Sequence, residues 1–178
     1  MYPDCDEILK MAPDYDIIPV CREIYADVIT PITLLRKLAA VSKRYYLLES
    51  VEGGEKWGRY SFLGFDPVMR VKCSCGKVTI EKDGEETEKV TDKPLEVLRE
   101  ILKDYKAPRL AGLPPFAGGF VGYFAYAMIG YAEPKLKIKK GTFNDYDMML
   151  FDKVIAYDHL KQKISIIVNM KTDKVMEN

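Results

Sequence analysis

The chain has 178 residues, of which 48% are hydrophobic and 30% are charged, and its 27 Lys and Arg residues balance its 27 Asp and Glu residues. This length and apolar content are typical of a globular domain with its own core and exclude wholesale disorder. The absence of net charge argues against nucleic acid as a partner, because proteins that bind its backbone usually carry a basic excess. Residues 1–178 are therefore predicted to form a single domain.

The predicted elements begin with a short helix within residues 1–11 and a strand at 17–24. Thr30 is a good N-cap residue and Pro31 suits the first turn of a helix that follows. Further strands are predicted at 45–51, 59–64, 68–73 and 77–82. A second helix follows Asp92, its predicted N-cap, and its apolar stripe runs to Tyr105. The last predicted strands are 119–126, 148–157 and 163–169, with a hairpin turn at 158–162. Strands outnumber helices and do not alternate with them, which indicates an α+β fold with a mostly antiparallel sheet.

Residues 110–132 carry no charge, and the run is long enough to cross a bilayer. Pro114 and Pro115 and several glycines interrupt it, however, so a continuous helix is disfavoured. The sequence predicts a central core strand here, with Phe120 and Phe124 on one face and Tyr123 on the other, rather than a membrane segment. The first ten residues include Asp and Glu and lack an apolar stretch, so no signal peptide is indicated and a cytoplasmic location is expected.

Signals for catalysis are poor. The single histidine, His159, lies in a predicted hairpin turn, where a structural or solvated residue is the usual case. Cys73 and Cys75 have no second Cys or His pair that would complete four metal ligands. The glycines around 118–122 match neither a phosphate-binding loop nor a dinucleotide fingerprint. The sequence thus predicts no catalytic residue, no metal site and no cofactor in this chain.

A cluster of polar residues follows the strand predicted at 45–51. Glu49 could pair with the ammonium of an amino acid, Ser50 could hydrogen-bond either end of it, and Lys56 or Arg59 could meet its carboxylate. A strand end that carries a surface ion pair explains the same residues, and residue types alone favour that simpler interpretation.

The same region carries a family resemblance. Residues 47–50 (Leu-Leu-Glu-Ser), 52–55 (Glu-Gly-Gly-Glu) and 58–64 (Gly-Arg-Tyr-Ser-Phe-Leu-Gly) resemble the N-terminal region of anthranilate synthase component I. Residues 114–124 (Pro-Pro-Phe-Ala-Gly-Gly-Phe-Val-Gly-Tyr-Phe) are similar to a second signature of that family. Weaker similarities lie at 27–31 and 151–159, so the ordered motifs span most of the chain. Aminodeoxychorismate synthase component I, an enzyme of folate synthesis, shares this layout and stays an alternative, as does a stand-alone amino-acid-binding module.

The resemblance implies a division of labour within a longer protein. It implies that this chain is the regulatory N-terminal part, half of an antiparallel sandwich with flanking helices, and that it senses L-tryptophan. Leu48, Glu49 and Ser50 match the tryptophan-contacting strand of the family, and Lys56 falls where a basic residue lines the same pocket. The implied partners are a C-terminal chorismate-binding domain, where Mg²⁺ is expected, and a glutamine amidotransferase subunit. The full protein would make anthranilate and pyruvate from chorismate and glutamine-derived ammonia, and this chain alone would be inactive.

Overall fold

A computed structural model of the protein describes residues 1–49, 58–133, 135–136, 138, 141–173 and 175. Over these residues the chain forms helices α1 (Cys5–Met11), α2 (Pro31–Val41), α3 (Pro94–Lys103) and α4 (Ile129–Ala132), with a 3-10 helix at Tyr126–Met128. The strands are β1 (Ile17–Tyr25), β2 (Tyr45–Leu48), β3 (Tyr60–Phe65), β4 (Met69–Ser74), β5 (Lys77–Lys82), β6 (Glu85–Val90), β7 (Gly119–Phe124), β8 (Tyr146–Phe151), β9 (Lys153–Asp158) and β10 (Lys163–Lys171).

The strands form two five-stranded antiparallel sheets. The strand order is β1-β10-β9-β3-β2 in the first sheet and β6-β5-β4-β8-β7 in the second. The predicted α+β fold with antiparallel sheets is therefore confirmed. The chain divides into two compact units, Met1–Pro67 with Tyr105–Gly119 and Phe151–Asn178, and Val68–Asp104 with Phe120–Leu150. Each unit is built around one of the sheets.

In the first unit, α2 begins as the sequence predicts. The Thr30 hydroxyl accepts the backbone N–H of Thr33, and the Thr33 hydroxyl accepts the backbone N–H of Thr30, so two N–H groups at the helix start are satisfied. Leu38 of this helix is buried in a cluster with Leu63 and Tyr157 of the first sheet. That packing fixes the strands that carry the candidate site.

The N-cap predicted for α3 is wrong. The cap is Lys93 rather than Asp92, and no side chain caps it. Pro94 at the first turn fixes the start of the helix instead, because its ring presets the helical φ angle. Of the predicted apolar stripe, Leu98 is buried, whereas Leu95 and Leu102 are 38% and 45% exposed; Val97, outside that stripe, is buried beside Leu98. The fully buried Tyr146 donates its hydroxyl to the carbonyl of Pro94 at 3.0 Å, which holds the helix start against β8.

Strand β6 was not predicted from the sequence. Its residues are all exposed, so they lack the apolar alternation that indicates a strand. The strand forms because Asp83 and Gly84 adopt positive φ angles, which produces a tight hairpin turn, and because it pairs along its whole length with β5. Lys77 and Glu88, which form an exposed ion pair, lie across this hairpin.

The strand predicted at 148–157 is two strands. Strand β8 belongs to the second sheet and β9 to the first, and Asp152 lies between them. Asn169 stabilises the break between the two strands. Its backbone N–H and its side-chain amide both donate to the carbonyl of Asp152, at 2.8 Å and 3.0 Å. Apolar residues on both sides, at 148–151 and 154–156, conceal this break in the sequence.

The strand predicted within residues 110–132 is confirmed as β7, but its predicted central position is wrong. It is the edge strand of the second sheet, and Tyr123 and Phe124 are 42% and 51% exposed. Among the described residues, no helix has the length and apolar character needed to span a bilayer. The residues after β7 form the 3-10 helix and α4.

Replacement of Gly122 by alanine is expected to destabilise the protein by about 2 kcal/mol or more. A Cβ on Gly122 would overlap the backbone of Asp147 and Met148 in the adjacent strand, and a backbone cannot rotate away as a side chain does. Thermal unfolding measures the effect. Gly130→Ala is the matched control, because a Cβ there makes only ordinary contact with Ile138. Equal melting temperatures for the two variants would contradict this account of the glycine.

Candidate functional site

The candidate site lies where β2 ends in the first sheet. Leu48, the last residue of β2, pairs with Phe62 of β3 and is 48% exposed. Strand β3 pairs on its other side with β9, so that Ser61 lies opposite Tyr157 and Tyr60 lies opposite Asp158. Glu49 leaves the end of β2 beside Ser61, and the hairpin turn that carries His159 follows the end of β9. Three chain segments distant in sequence therefore meet at this end of the sheet.

Glu49, Ser61 and His159 form a hydrogen-bonded chain. The hydroxyl of Ser61, a fully buried residue, donates to Oε1 of Glu49 at 3.2 Å and lies 2.7 Å from Nε2 of His159. A hydroxyl has one proton, so when Glu49 receives it the serine oxygen must accept from His159. In that arrangement Nε2 of His159 is the donor of the second hydrogen bond.

These three hydrogen-bonded residues differ from a nucleophilic triad in the position of the carboxylate. In a triad the carboxylate holds the histidine, and the histidine takes the proton of the serine. Here the carboxylate of Glu49 contacts Ser61, and the serine proton points to Glu49 rather than to His159. The arrangement orients a carboxylate; it does not activate a serine.

A paired charge fixes the adjacent hairpin turn. Asp158, which is 5% exposed, accepts from Arg59 Nε at 3.1 Å and from Nη2 at 2.7 Å. The same carboxylate accepts the backbone N–H groups of Leu160 and Lys161, each at 3.0 Å. Burial raises the pKa of Asp158, but its hydrogen bonds from Arg59 and from the turn outweigh burial, so the pKa lies below its usual value.

Aromatic rings surround these polar groups. The Tyr157 ring lies 4.7 Å from that of His159, and the Arg59 guanidinium lies 4.9 Å from the centre of the Tyr60 ring. Tyr60 in turn stacks on Phe62 at 5.7 Å. These contacts limit the rotation of His159 and Arg59 and leave Glu49 as the exposed member of the group.

Of the predicted ligand-binding residues, the structure places two. Leu48 and Glu49 lie together at the end of β2, whereas Ser50 and Lys56 lie outside the described residues. Arg59, considered as a partner for a ligand carboxylate, is instead bound through two nitrogens to Asp158. Sequence reasoning overlooked Ser61 and His159 as neighbours of Glu49, because only the pairing of β3 with β2 and β9 brings them together.

The cysteine pair does not form a second site. Cys73 is fully buried at the end of β4, and Cys75 is exposed in the following turn at a φ of 54°. Burial raises the pKa of Cys73, which disfavours a reactive thiolate. Among the described residues there is no group of three or more His, Cys, Asp or Glu that could hold a metal ion.

Replacement of Asp158 by asparagine is expected to lower the melting temperature by several degrees at pH 7, and this difference should shrink in acid. The folded state depresses the pKa of Asp158, so the stability it contributes is present above the usual carboxyl pKa of about 4 and is lost as the pH falls through the folded value. Asparagine does not ionise there. Thermal unfolding from pH 7 to pH 3 measures the difference, and one that stays constant or grows toward acid would contradict the assigned ion pair.

The fold and the site together define an α+β protein with two antiparallel five-stranded sheets and an oriented, exposed carboxylate at a strand end. No protein-family model matches the chain. Individual proteins are similar to the chain along most of its length. Anthranilate synthase component 1 of Acetivibrio thermocellus is 44% identical over 179 residues, which cover 99% of this chain and 36% of that protein. The Pseudomonas aeruginosa protein of the same name is 40% identical over 169 residues, with 92% of this chain and 34% of that protein covered.

A solved structure agrees with the sequence relatives. Anthranilate synthase component I from Streptococcus pneumoniae has a TM-score of 0.52 and 27% identity, and the match covers 85% of this chain and 32% of that one. The resemblance inferred from the motifs is confirmed: the chain is homologous to a segment of anthranilate synthase component I. It spans about a third of the length of the relatives it matches.

Proposed function

We propose that this chain is the tryptophan-sensing N-terminal part of an anthranilate synthase component I. The observation that supports this most strongly is the 44% identity to a protein of that name over 99% of the chain. The site adds a physical reason: Glu49 is exposed at a strand end and is oriented by a buried serine. A carboxylate held in this way suits the ammonium group of an amino acid.

In the proposed complex the predicted site residues contact different parts of the tryptophan molecule. Glu49 accepts a charge-assisted hydrogen bond from the ammonium of tryptophan, and Leu48 provides apolar contact. Ser50 and Lys56 bind the carboxylate of tryptophan in this proposal, on the strength of the family resemblance. The rest of the polypeptide supplies the walls around the indole ring.

The proposed consequence of binding is feedback inhibition. Tryptophan can shift the enzyme toward an inactive arrangement only if it binds that arrangement more tightly than the active one. A coupling of about 2 kcal/mol corresponds to roughly a thirtyfold change in affinity, which is within the usual range for allosteric proteins.

The activity belongs to the whole polypeptide in this proposal. The reaction converts chorismate and ammonia to anthranilate and pyruvate, and a glutamine amidotransferase subunit supplies the ammonia. The remaining part of the polypeptide binds chorismate and Mg²⁺, and the enzyme works in the cytoplasm. This chain contributes the regulatory site.

A product assay on the full-length polypeptide that carries this chain tests the proposal. Supplied with chorismate, Mg²⁺ and ammonia, it is expected to form anthranilate, and tryptophan is expected to inhibit the reaction while phenylalanine at equal concentration does not. Accumulation of aminodeoxychorismate with no inhibition by tryptophan would assign the chain to the folate branch. A reading frame that ends at Asn178 with tryptophan binding intact would identify a stand-alone module.

A further inference from the structure

We infer that Ser61 and His159 are positioning residues that fix the carboxylate of Glu49 for an amino-acid ammonium group. This inference rests on the proposed function and deepens it, because it identifies what makes an exposed glutamate selective. It concerns residues that the motif comparison did not assign to the site. Both residues act through Glu49 and need not touch the ligand.

The burial of Ser61 makes it a fixed reference point. Its side chain has no solvent exposure, and the pairing of β3 with β2 on one side and β9 on the other holds its backbone. Water does not reach this buried hydroxyl, so loss of Glu49 would leave its proton without that acceptor, which is costly. Glu49, by contrast, is exposed and would otherwise sample several rotamers.

His159 determines the direction in which Ser61 donates. The two side chains are 2.7 Å apart, and when Nε2 of His159 donates to the serine oxygen, the hydroxyl proton is left for Glu49. The backbone of His159 is itself held from both sides. Its N–H donates to the carbonyl of Arg59 at 2.9 Å, and its carbonyl accepts the side-chain amide of Gln162 at 2.7 Å.

The chain of hydrogen bonds leaves Glu49 able to bind a cation. A carboxylate has about four acceptor positions on its two oxygens, and Ser61 uses only one of them. An ammonium group has three donors and can engage the others. Orientation before binding reduces the entropy that the side chain loses when the ligand arrives, which increases affinity. The expected contribution of the Ser61 contact is about tenfold in the dissociation constant.

A double-mutant cycle on the full-length polypeptide tests this inference. Calorimetry with tryptophan compares the parent with Ser61→Ala, Glu49→Gln and the double variant. Ser61→Ala is expected to weaken binding about tenfold, and the double variant is expected to bind no more weakly than Glu49→Gln alone. Ser165→Ala is the matched control, because Ser165 is a buried serine of the same sheet that lies opposite Ala156 rather than Glu49. It is expected to bind tryptophan like the parent.

Two variants of His159 separate positioning from general packing. His159→Gln keeps a side-chain N–H donor and is expected to retain most of the affinity, whereas His159→Leu keeps bulk without a donor and is expected to match Ser61→Ala. Additive effects in the cycle, parental affinity in Ser61→Ala, or equal losses in the two His159 variants would overturn the inference. A parent that binds no tryptophan would overturn the proposed function itself. If the parent binds tryptophan and Ser61→Ala binds it with equal affinity, only the positioning role is contradicted.

Discussion

Replacement of Glu49 by alanine in the full-length polypeptide is expected to raise the tryptophan concentration needed for half-inhibition by about thirtyfold or more. The variant removes the only carboxylate that we assign to the ligand ammonium, and a charge-assisted hydrogen bond of this kind contributes about 2 kcal/mol. The measurement is the ratio of the rates of anthranilate formation with and without tryptophan, over a series of tryptophan concentrations.

The control for this prediction is Glu88→Ala. Glu88 is an exposed glutamate of β6 in the second unit, paired with Lys77. Its removal changes the net charge by the same amount, so its inhibition curve is expected to coincide with that of the parent. An unchanged inhibition curve for Glu49→Ala would place the effector elsewhere.

The 178-residue chain by itself is expected to make no anthranilate when chorismate, Mg²⁺ and ammonia are supplied. Among the described residues, Ser61 is fully buried and directs its proton to Glu49, and no cluster of ligands for a metal ion is present. The relatives that bear the enzyme's name are about three times as long as this chain. The expected rate is that of the reaction without protein.

The full-length polypeptide, assayed beside the chain at equal concentration, is the positive control for this second prediction. Anthranilate formation that increases in proportion to the concentration of the 178-residue chain, and that survives a second purification, would contradict the division of labour. It would require catalytic residues that neither the sequence nor the described structure reveals.

The sequence predicted those elements whose signals are local. Thr30 and Pro31 predicted the start of α2 because a cap and a first-turn proline act within four residues. Strand β4 alternates apolar and polar residues, and its apolar residues Met69, Val71 and Cys73 are buried; in β5 the same alternation buries Val78. Strand β6 was missed because cross-strand pairing, rather than burial, holds it, and pairing leaves no pattern in a single strand.

The candidate site was only partly predictable for the same reason. Glu49 could be chosen from a short motif, and the structure places it at an exposed strand end. Ser61 follows Glu49 by 12 residues in the sequence, and His159 follows Ser61 by 98 residues. Only the register of the sheet brings the three residues together. The break at Asp152 was hidden in the same way, because Asn169 defines it from a distant strand.

The most direct test of the account is calorimetry of the full-length polypeptide with tryptophan, beside the Glu49→Ala variant. The account predicts one tryptophan bound per polypeptide in the parent, and binding at least about thirtyfold weaker in the variant. Tryptophan binding of equal strength in the two proteins, or no binding to the parent, would contradict the claim that this chain contains the tryptophan-sensing site.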